Sequence, residues 1–172
     1  MLAANGWCWN MPSLPQFDLS LDERLRLIVD SYQRLTGKVL LSNFPINKSL
    51  DGVPDASLRL MLWNAPFAIV AHGKEADPIF FYGNRVALAL FEMSFEEFTC
   101  LPSRCSAEPV AQEARAAMLE KVNRIGFIND YSGVRIAKSG KRFMIEGATV
   151  WNLLDATGGY HGQAAVFVEQ HV

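Results

Sequence analysis

Two arginines, a glutamine and two histidines are the residues of this chain whose chemistry could reach a ligand. Arg104 and Arg135 each carry a planar guanidinium, and its fork of N–H donors matches a carboxylate or phosphate through paired hydrogen bonds. The competing use of the same groups is to pair with Glu108, Asp130 or Glu146 and fix a helix against a sheet. Gln163 alternates with Ala165 and Phe167, and alternate residues of a strand share a face. If Phe167 points into the core, the amide does too, and a buried polar group without a partner costs roughly 1–3 kcal/mol. That partner is either a cofactor ring or a neighbouring side chain or water. His72 stands before Gly73 and His161 before Gly162. Either could ligate haem iron, whereas a lone histidine more often holds a turn or makes an ordinary hydrogen bond.

Catalytic chemistry has less to stand on. There is no glycine-rich phosphate loop, no GxSxG, no HExxH and no carboxylate pair with a third orienting group. Ser103, Cys105 and His161 can be written as a nucleophile and base only across a long stretch of sequence, so an enzyme using Cys105 or His161 is the weakest reading. Cys8, Cys100 and Cys105 cannot all pair within the chain, and none lies in CxxC or at metal-ligand spacing to a histidine. Cys100 and Cys105 could meet, but buried free thiols are common, and a reducing cytoplasm is the expected compartment.

The elements that position these groups must come from one domain with a short lead-in. The chain has 172 residues, half of them hydrophobic and a fifth charged, with a formal charge of −2. Mean hydropathy is +0.08, enough apolar material for a substantial core. No run of basic residues makes a stripe for nucleic acid, so none is expected as a direct partner. Apolar runs such as Val86–Phe91 are far too short to cross a bilayer, and no membrane association is expected. Met1 to Asn10 lack a basic and an apolar region of the secretory kind, consistent with a cytoplasmic chain.

Residues 1–19, with Trp7, Trp9, Pro12 and Pro15, read as a flexible or docking tail. Ser20 and Glu23 form a capping box, and Leu21, Leu25, Ile28, Tyr32 and Leu35 make one apolar helix face before Gly37. A connection at 38–54 leads to a short helix from Asp55 to about Trp63, so 20–64 is a helical extension and 65–172 the main module. There, strands at about 66–71 and 79–82 are followed by a helix opening at Asn84, a second capping box at Ser94–Glu97, and a long helix from Ser106 to Ile125. Its expected inward face is Val110, Ala114, Met118, Val122 and Ile125. Strands at 127–137 (Phe127–Tyr131 continuing to Arg135–Ala137), 142–154 and 163–168 then join through hairpin turns, so neighbours should be antiparallel. The order closes into an α+β fold, a five-stranded antiparallel sheet with helices on one face and an N-terminal helical extension, which is PAS-like.

Several segments resemble the MEKHLA family: His72–Gly73 through Asp77–Phe80, Tyr82–Asn84, Leu101–Arg104, Ser106–Pro109, Gly126–Ile128, Tyr131–Ile136 and Gly162–Ala165. The resemblance covers about residues 24–170 and takes in Arg104 and Arg135. It implies a PAS-like sensory or interaction domain responding to light, oxygen, redox state or a small molecule, with no catalytic residues to carry over. Members stand alone in microbes or close a class of plant homeodomain–leucine zipper regulators. This chain has neither homeodomain nor zipper heptads, so DNA binding does not carry over. Phe81 stands where the family pattern favours asparagine, and Cys105 where it favours an aliphatic residue.

Among PAS-like domains, flavin photoreceptors carry a reactive cysteine near the position of Cys105. Here, however, the context is Ser103-Arg104-Cys105-Ser106, and the equivalent position falls nearer Ser103. Trp151-Asn152-Leu153-Leu154 is similar to a flavin-binding strand but comes too late after the Gly140 turn. Flavin and haem are therefore minor expectations, and the cofactor is left open. The expected inward face is Val86, Leu90, Met118 and Val122 from helices with Phe143, Ile145, Gln163 and Phe167 from strands. It encloses either a small apolar cavity with polar anchors or a filled core. A small apolar or acidic ligand and a homodimer formed through the 21–35 stripe are the expected partners; a filled-core adaptor is the alternative.

Overall fold

The computed structural model describes residues 18–42 and 50–170; the tail aromatics Trp7 and Trp9, and much of the 38–54 connection, lie outside them. Helix α1 (Leu21–Thr36) opens with the expected capping box, in which Ser20 Oγ accepts from the Glu23 amide and the Glu23 carboxylate accepts from the Ser20 amide. Gly37 closes it at φ 72°, a left-handed conformation that costs glycine nothing. Leu25, Ile28 and Val29 are buried, each contributing about 1.5–3 kcal/mol of transfer free energy. A second helix, α2 (Asp55–Asn64), adds Leu58 and Leu62 to the same layer.

Five strands form one sheet in the order β2-β1-β5-β4-β3, all neighbours antiparallel. They are β1 (Ala68–His72), β2 (Phe80–Gly83), β3 (Phe127–Ile136), β4 (Arg142–Leu154) and β5 (Tyr160–Gln170). The C-terminal meander and its pairing with the first strands follow the sequence expectation. As expected, Phe127–Tyr131 continues into Arg135–Ile136 as one strand, β3, with register shifts on either side of Tyr131.

Alternation along the strands gives the sheet two apolar faces. Ile69, Ala71, Trp151, Leu153 and Ala164 pack with α1 and α2. Ala68, Val70, Phe80, Ile145 and Phe167 face the other way, toward α3 (Arg85–Phe91), α4 (Phe95–Phe98) and α5 (Pro109–Ile125). The module's own helices thus keep to one face, as expected, and the N-terminal extension covers the opposite one. Trp151 Nε1 donates to the Ile28 carbonyl at 3.2 Å, and Ser31 Oγ donates to the Leu154 carbonyl and accepts from its amide at 3.0 and 2.8 Å. Arg34 donates to the carbonyls of Leu154 and Asp155. The stripe expected to pair two copies is therefore occupied by the chain's own sheet. Self-docking wins because β4 offers both a matching apolar surface and backbone partners.

Two residues fix how the layers meet. Asn84 is fully buried and uses its whole amide: Oδ1 accepts from the Ile69 and Ala87 amides, and Nδ2 donates to the Leu62 and Phe67 carbonyls. It caps α3 while tying α2 to β1. Gly162, at φ 132°, lets β5 pass close to β1; a Cβ there would stand 2.0 Å from the His72 carbonyl oxygen.

Candidate functional site

Helix α5 begins at Pro109, whose missing N–H costs nothing in a first turn, and Gly126 ends it. Its buried side is not the expected one. Arg115 and Val122 are buried, and Met118 and Leu119 are half-buried. These positions follow the spacing of one helix face. Ala114 and Ile125 are exposed, and the Val110 side chain is outside the described set. Counting apolar residues placed Arg115 outside; the helix instead turns its aliphatic stem under and lets the guanidinium reach inward.

Between this side of α5 and the sheet lies a cavity. Val70, Phe80, Ile145, Val150 and Phe167 supply apolar wall from the strands, and Met118 and Leu119 close it from the helix. His72, Arg115, Tyr131, Arg135 and Gln163 are the polar groups that line it. The empty volume is about 420 Å³ including the open mouth, of which about 40 Å³ can take the centre of a water-sized sphere. That is room for a few waters or a compact organic molecule, since one water needs roughly 10–15 Å³ on this measure. As formed, it is too narrow for a flavin ring system or a porphyrin.

The polar lining is unusual in its sign. Arg115 and Arg135 are 8% and 7% exposed. Among the described residues neither forms an ion pair, and no carboxylate lines the cavity. Arg135 donates to the Val134 carbonyl and to Tyr131 Oη, both at 3.0 Å, and its guanidinium carbon lies 5.2 Å from the Tyr131 ring centre. Arg115 makes no side-chain hydrogen bond among the described residues, and its Nε is buried without a partner. Burial first, and the Arg135 charge second, lower the Arg115 pKa to about 10, so it remains charged at neutral pH. His72, 5% exposed, donates from Nδ1 to the Gly73 carbonyl at 2.8 Å, which leaves Nε2 a buried lone pair without a donor. Burial pushes its pKa down to about 4, with the Gly73 bond opposing and the Arg115 charge assisting, so the ring is neutral.

Gln163 is buried beside these groups, as the strand alternation predicted, and it has protein partners. Nε2 donates to the Leu119 carbonyl at 2.9 Å and to Asn152 Oδ1 at 3.1 Å. Asn152 Nδ2 in turn donates to the carbonyls of Val122 and Asn123. A carbonyl only accepts, so these contacts fix both amide orientations. Together they tie the C-terminal half of α5 to the sheet.

Of the ten residues expected at the site, Met118, Arg135, Ile145, Gln163 and Phe167 meet in the cavity. Val86, Leu90 and Phe143 do not. They belong to the apolar cluster around α3 and α4, where Phe91 packs edge-on to Phe143 and Phe80 stacks on Phe98. Val122 is buried outside the lining. Arg104 is remote and half-exposed, paired with Asp77, so it has the structural role that competed with ligand binding, through a partner the sequence did not indicate. The reading missed Arg115, named Tyr131 only within a family segment, and weighed His72 as a haem ligand without placing it in the inward face. For His72 the signal was present in the parity of β1, which puts it on the side of Val70. His161 bonds Asp155 in the β4–β5 turn, where Asp155 also accepts from the Thr157 and Gly159 amides. Cys105 is not a free thiol, whereas Cys100 is.

A family model described as the MEKHLA domain matches residues 22–172. No curated protein sequence matches the chain. Among solved structures, the PAS domain of a protein from Colwellia psychrerythraea is similar with a TM-score of 0.59 at 15% identity, over 65% of this chain and 92% of that one. An RNA-binding light-oxygen-voltage receptor is similar with a TM-score of 0.58 at 13% identity, covering 73% of this chain but 36% of that one. A light-oxygen-voltage domain studied with a flavin analogue gives 0.50 at 19% identity, over 71% of this chain and 87% of that one. At these identities the likeness concerns the fold.

Proposed function

The chain belongs to the MEKHLA domain family, and from that premise we propose that it is a non-catalytic sensory module that binds a small molecule between α5 and its sheet. The observation that carries this reading is the cavity itself. It combines an apolar wall with buried polar atoms, Arg115 Nε and His72 Nε2, that have no hydrogen-bond partner among the described residues. Buried polar atoms are almost always satisfied, so a pair of orphans lining one cavity argues for an occupant that supplies what they lack. Met118 and Leu119 form the lid of the cavity, so occupancy acts directly on the position of α5. The Gln163–Asn152 network holds the C-terminal half of that helix and makes it the pivot. A flavin, the kind of ligand named for one structural neighbour, or a haem would need the walls to part.

Native mass spectrometry of the full chain, purified without denaturation from its own source, tests the proposal. A bound small molecule is expected, and it should be lost when Ala165→Phe fills the cavity. A chain that carries no ligand, and whose melting no compound in a metabolite screen shifts, would favour the filled-core adaptor instead. A visible absorption spectrum of the same sample reads out flavin or haem directly.

A further inference from the structure

We infer that the occupant is a small organic acid, its carboxylate held by Arg115 and Arg135 and its compact apolar body lying against Phe80, Met118, Ile145 and Phe167. This rests on the reading of the cavity as a ligand site and names the chemistry of the ligand.

Two guanidiniums line one cavity, each less than a tenth exposed, and among the described residues no carboxylate lines it with them. A structural arginine of this kind would be matched by an acid. The surface arginines Arg26, Arg59, Arg104 and Arg142 are matched in that way, by Asp55, Asp22, Asp77 and Glu108. The buried pair is left unmatched, so two positive charges face each other across low-dielectric space, an arrangement that folding alone disfavours. Arg135 is held in place by Tyr131 Oη and the Val134 carbonyl, whereas among the described residues Arg115 has no side-chain hydrogen bond and an orphaned Nε. One guanidinium is therefore pre-set and the other has donors to give, which is the arrangement an anion completes. His72, neutral and bonded to the Gly73 carbonyl, adds no third charge. The remaining lining is aliphatic and aromatic, which selects an acid with an apolar body over inorganic phosphate, and the confined space selects a compact one.

The test uses the full chain, benzoate and isovalerate as acids, benzamide and isovaleramide as neutral isosteres, and inorganic phosphate. Calorimetric titration and the thermal unfolding midpoint are the readouts. The acids are expected to bind and raise the midpoint, and the amides to bind at least about tenfold more weakly, because a hydrogen bond to a charged group is lost. Phosphate should not bind. Arg115→Met, which keeps the stem and removes the charge, should melt at or above the wild-type temperature without ligand and lose the response to benzoate. An Arg115→Met protein that melts lower yet still responds to benzoate would show a purely structural arginine and overturn the inference. Acids and amides binding alike, both blocked by Ala165→Phe, would also overturn it while leaving the cavity a ligand site. No response to any probe, with no ligand carried by the native protein, would remove both.

Discussion

Removing the Asn84 side chain offers a sharp test of how the layers are joined, because one amide serves four backbone groups from α2, β1, α3 and the turn before β1. Asn84→Ala leaves the buried Ile69 amide and the part-buried Phe67 carbonyl without their side-chain partner, at 3.0 and 2.8 Å in the native protein. It also removes the cap on Ala87 at 3.1 Å. A lost cap costs about 1 kcal/mol and each stranded buried group about 1–3 kcal/mol, so a loss of about 3–5 kcal/mol is expected even with partial relaxation. Against a total of roughly 5–15 kcal/mol for a domain, that is a large fraction. Asn84→Asp sharpens the test. It keeps the acceptor for Ile69 and Ala87 but sets an oxygen against the Leu62 and Phe67 carbonyls, so the folded state favours the protonated acid and its pKa rises. A group with a raised folded pKa carries no penalty below its unfolded pKa, near 4, and an increasing one as pH climbs toward the folded value. Urea unfolding followed by tryptophan fluorescence, at pH 5 and pH 8, should show Asn84→Asp closer to wild type at the lower pH. An Asn84→Ala protein within about 1 kcal/mol of wild type, or an Asn84→Asp protein with a pH-independent deficit, would refute the assignment.

Gly162→Ala should destabilise by several kcal/mol and perturb the His72 ring resonances, since its Cβ would meet a backbone oxygen that cannot yield; a circular-dichroism melt and an NMR spectrum read both. His72 should stay neutral with its proton on Nδ1 well below pH 6 in a ring-nitrogen NMR titration. Its folded pKa lies below the unfolded value, so its contribution is fully present above about pH 6.5 and is lost as pH falls toward 4, about 3 kcal/mol in the acid limit. Ser31→Ala should cost about 1–3 kcal/mol in chemical denaturation, because it leaves the Leu154 amide without its side-chain acceptor beside α1, while the Leu154 carbonyl keeps Arg34. Deleting 1–36 should abolish cooperative unfolding, not merely reduce mass in light scattering, because α1 covers Trp151 on the chain's own sheet.

The fold was legible because its punctuation is local. Two capping boxes, the Gly37 and Gly126 stops and the Gly140 and Gly158 turns each carry their reason within a few residues, and alternation along β5 then placed Gln163 inward. The site was half legible, because its strand residues inherit their facing from parity while its helix residues depend on how α5 rolls against the sheet. Periodicity preferred Ala114 over Arg115 for the inner face, since an apolar count cannot know that a charged end has a cavity to enter. Arg104 failed for the opposite reason: its partner Asp77 comes from the loop before β2, which no local pattern links to it. That the 21–35 stripe docks on its own sheet could not be read in advance, because an amphipathic helix does not say whose surface it will cover.

Strand β5 is a wall with two tenants. Its odd residues, Gln163, Ala165 and Phe167, face the cavity, and its even residues, Ala164 and Val166, face the layer of α1 and α2. One backbone separates them, hydrogen-bonded to β1 on one side and β4 on the other. Any sliding or bowing of that strand on filling the cavity is delivered, without an intervening loop, to the underside of α1. The far end of that helix is latched through Ser31 and Arg34 to the end of β4. The N-terminal helix is thus the natural pointer of the domain, a needle mounted on the back of the dial whose front is the cavity.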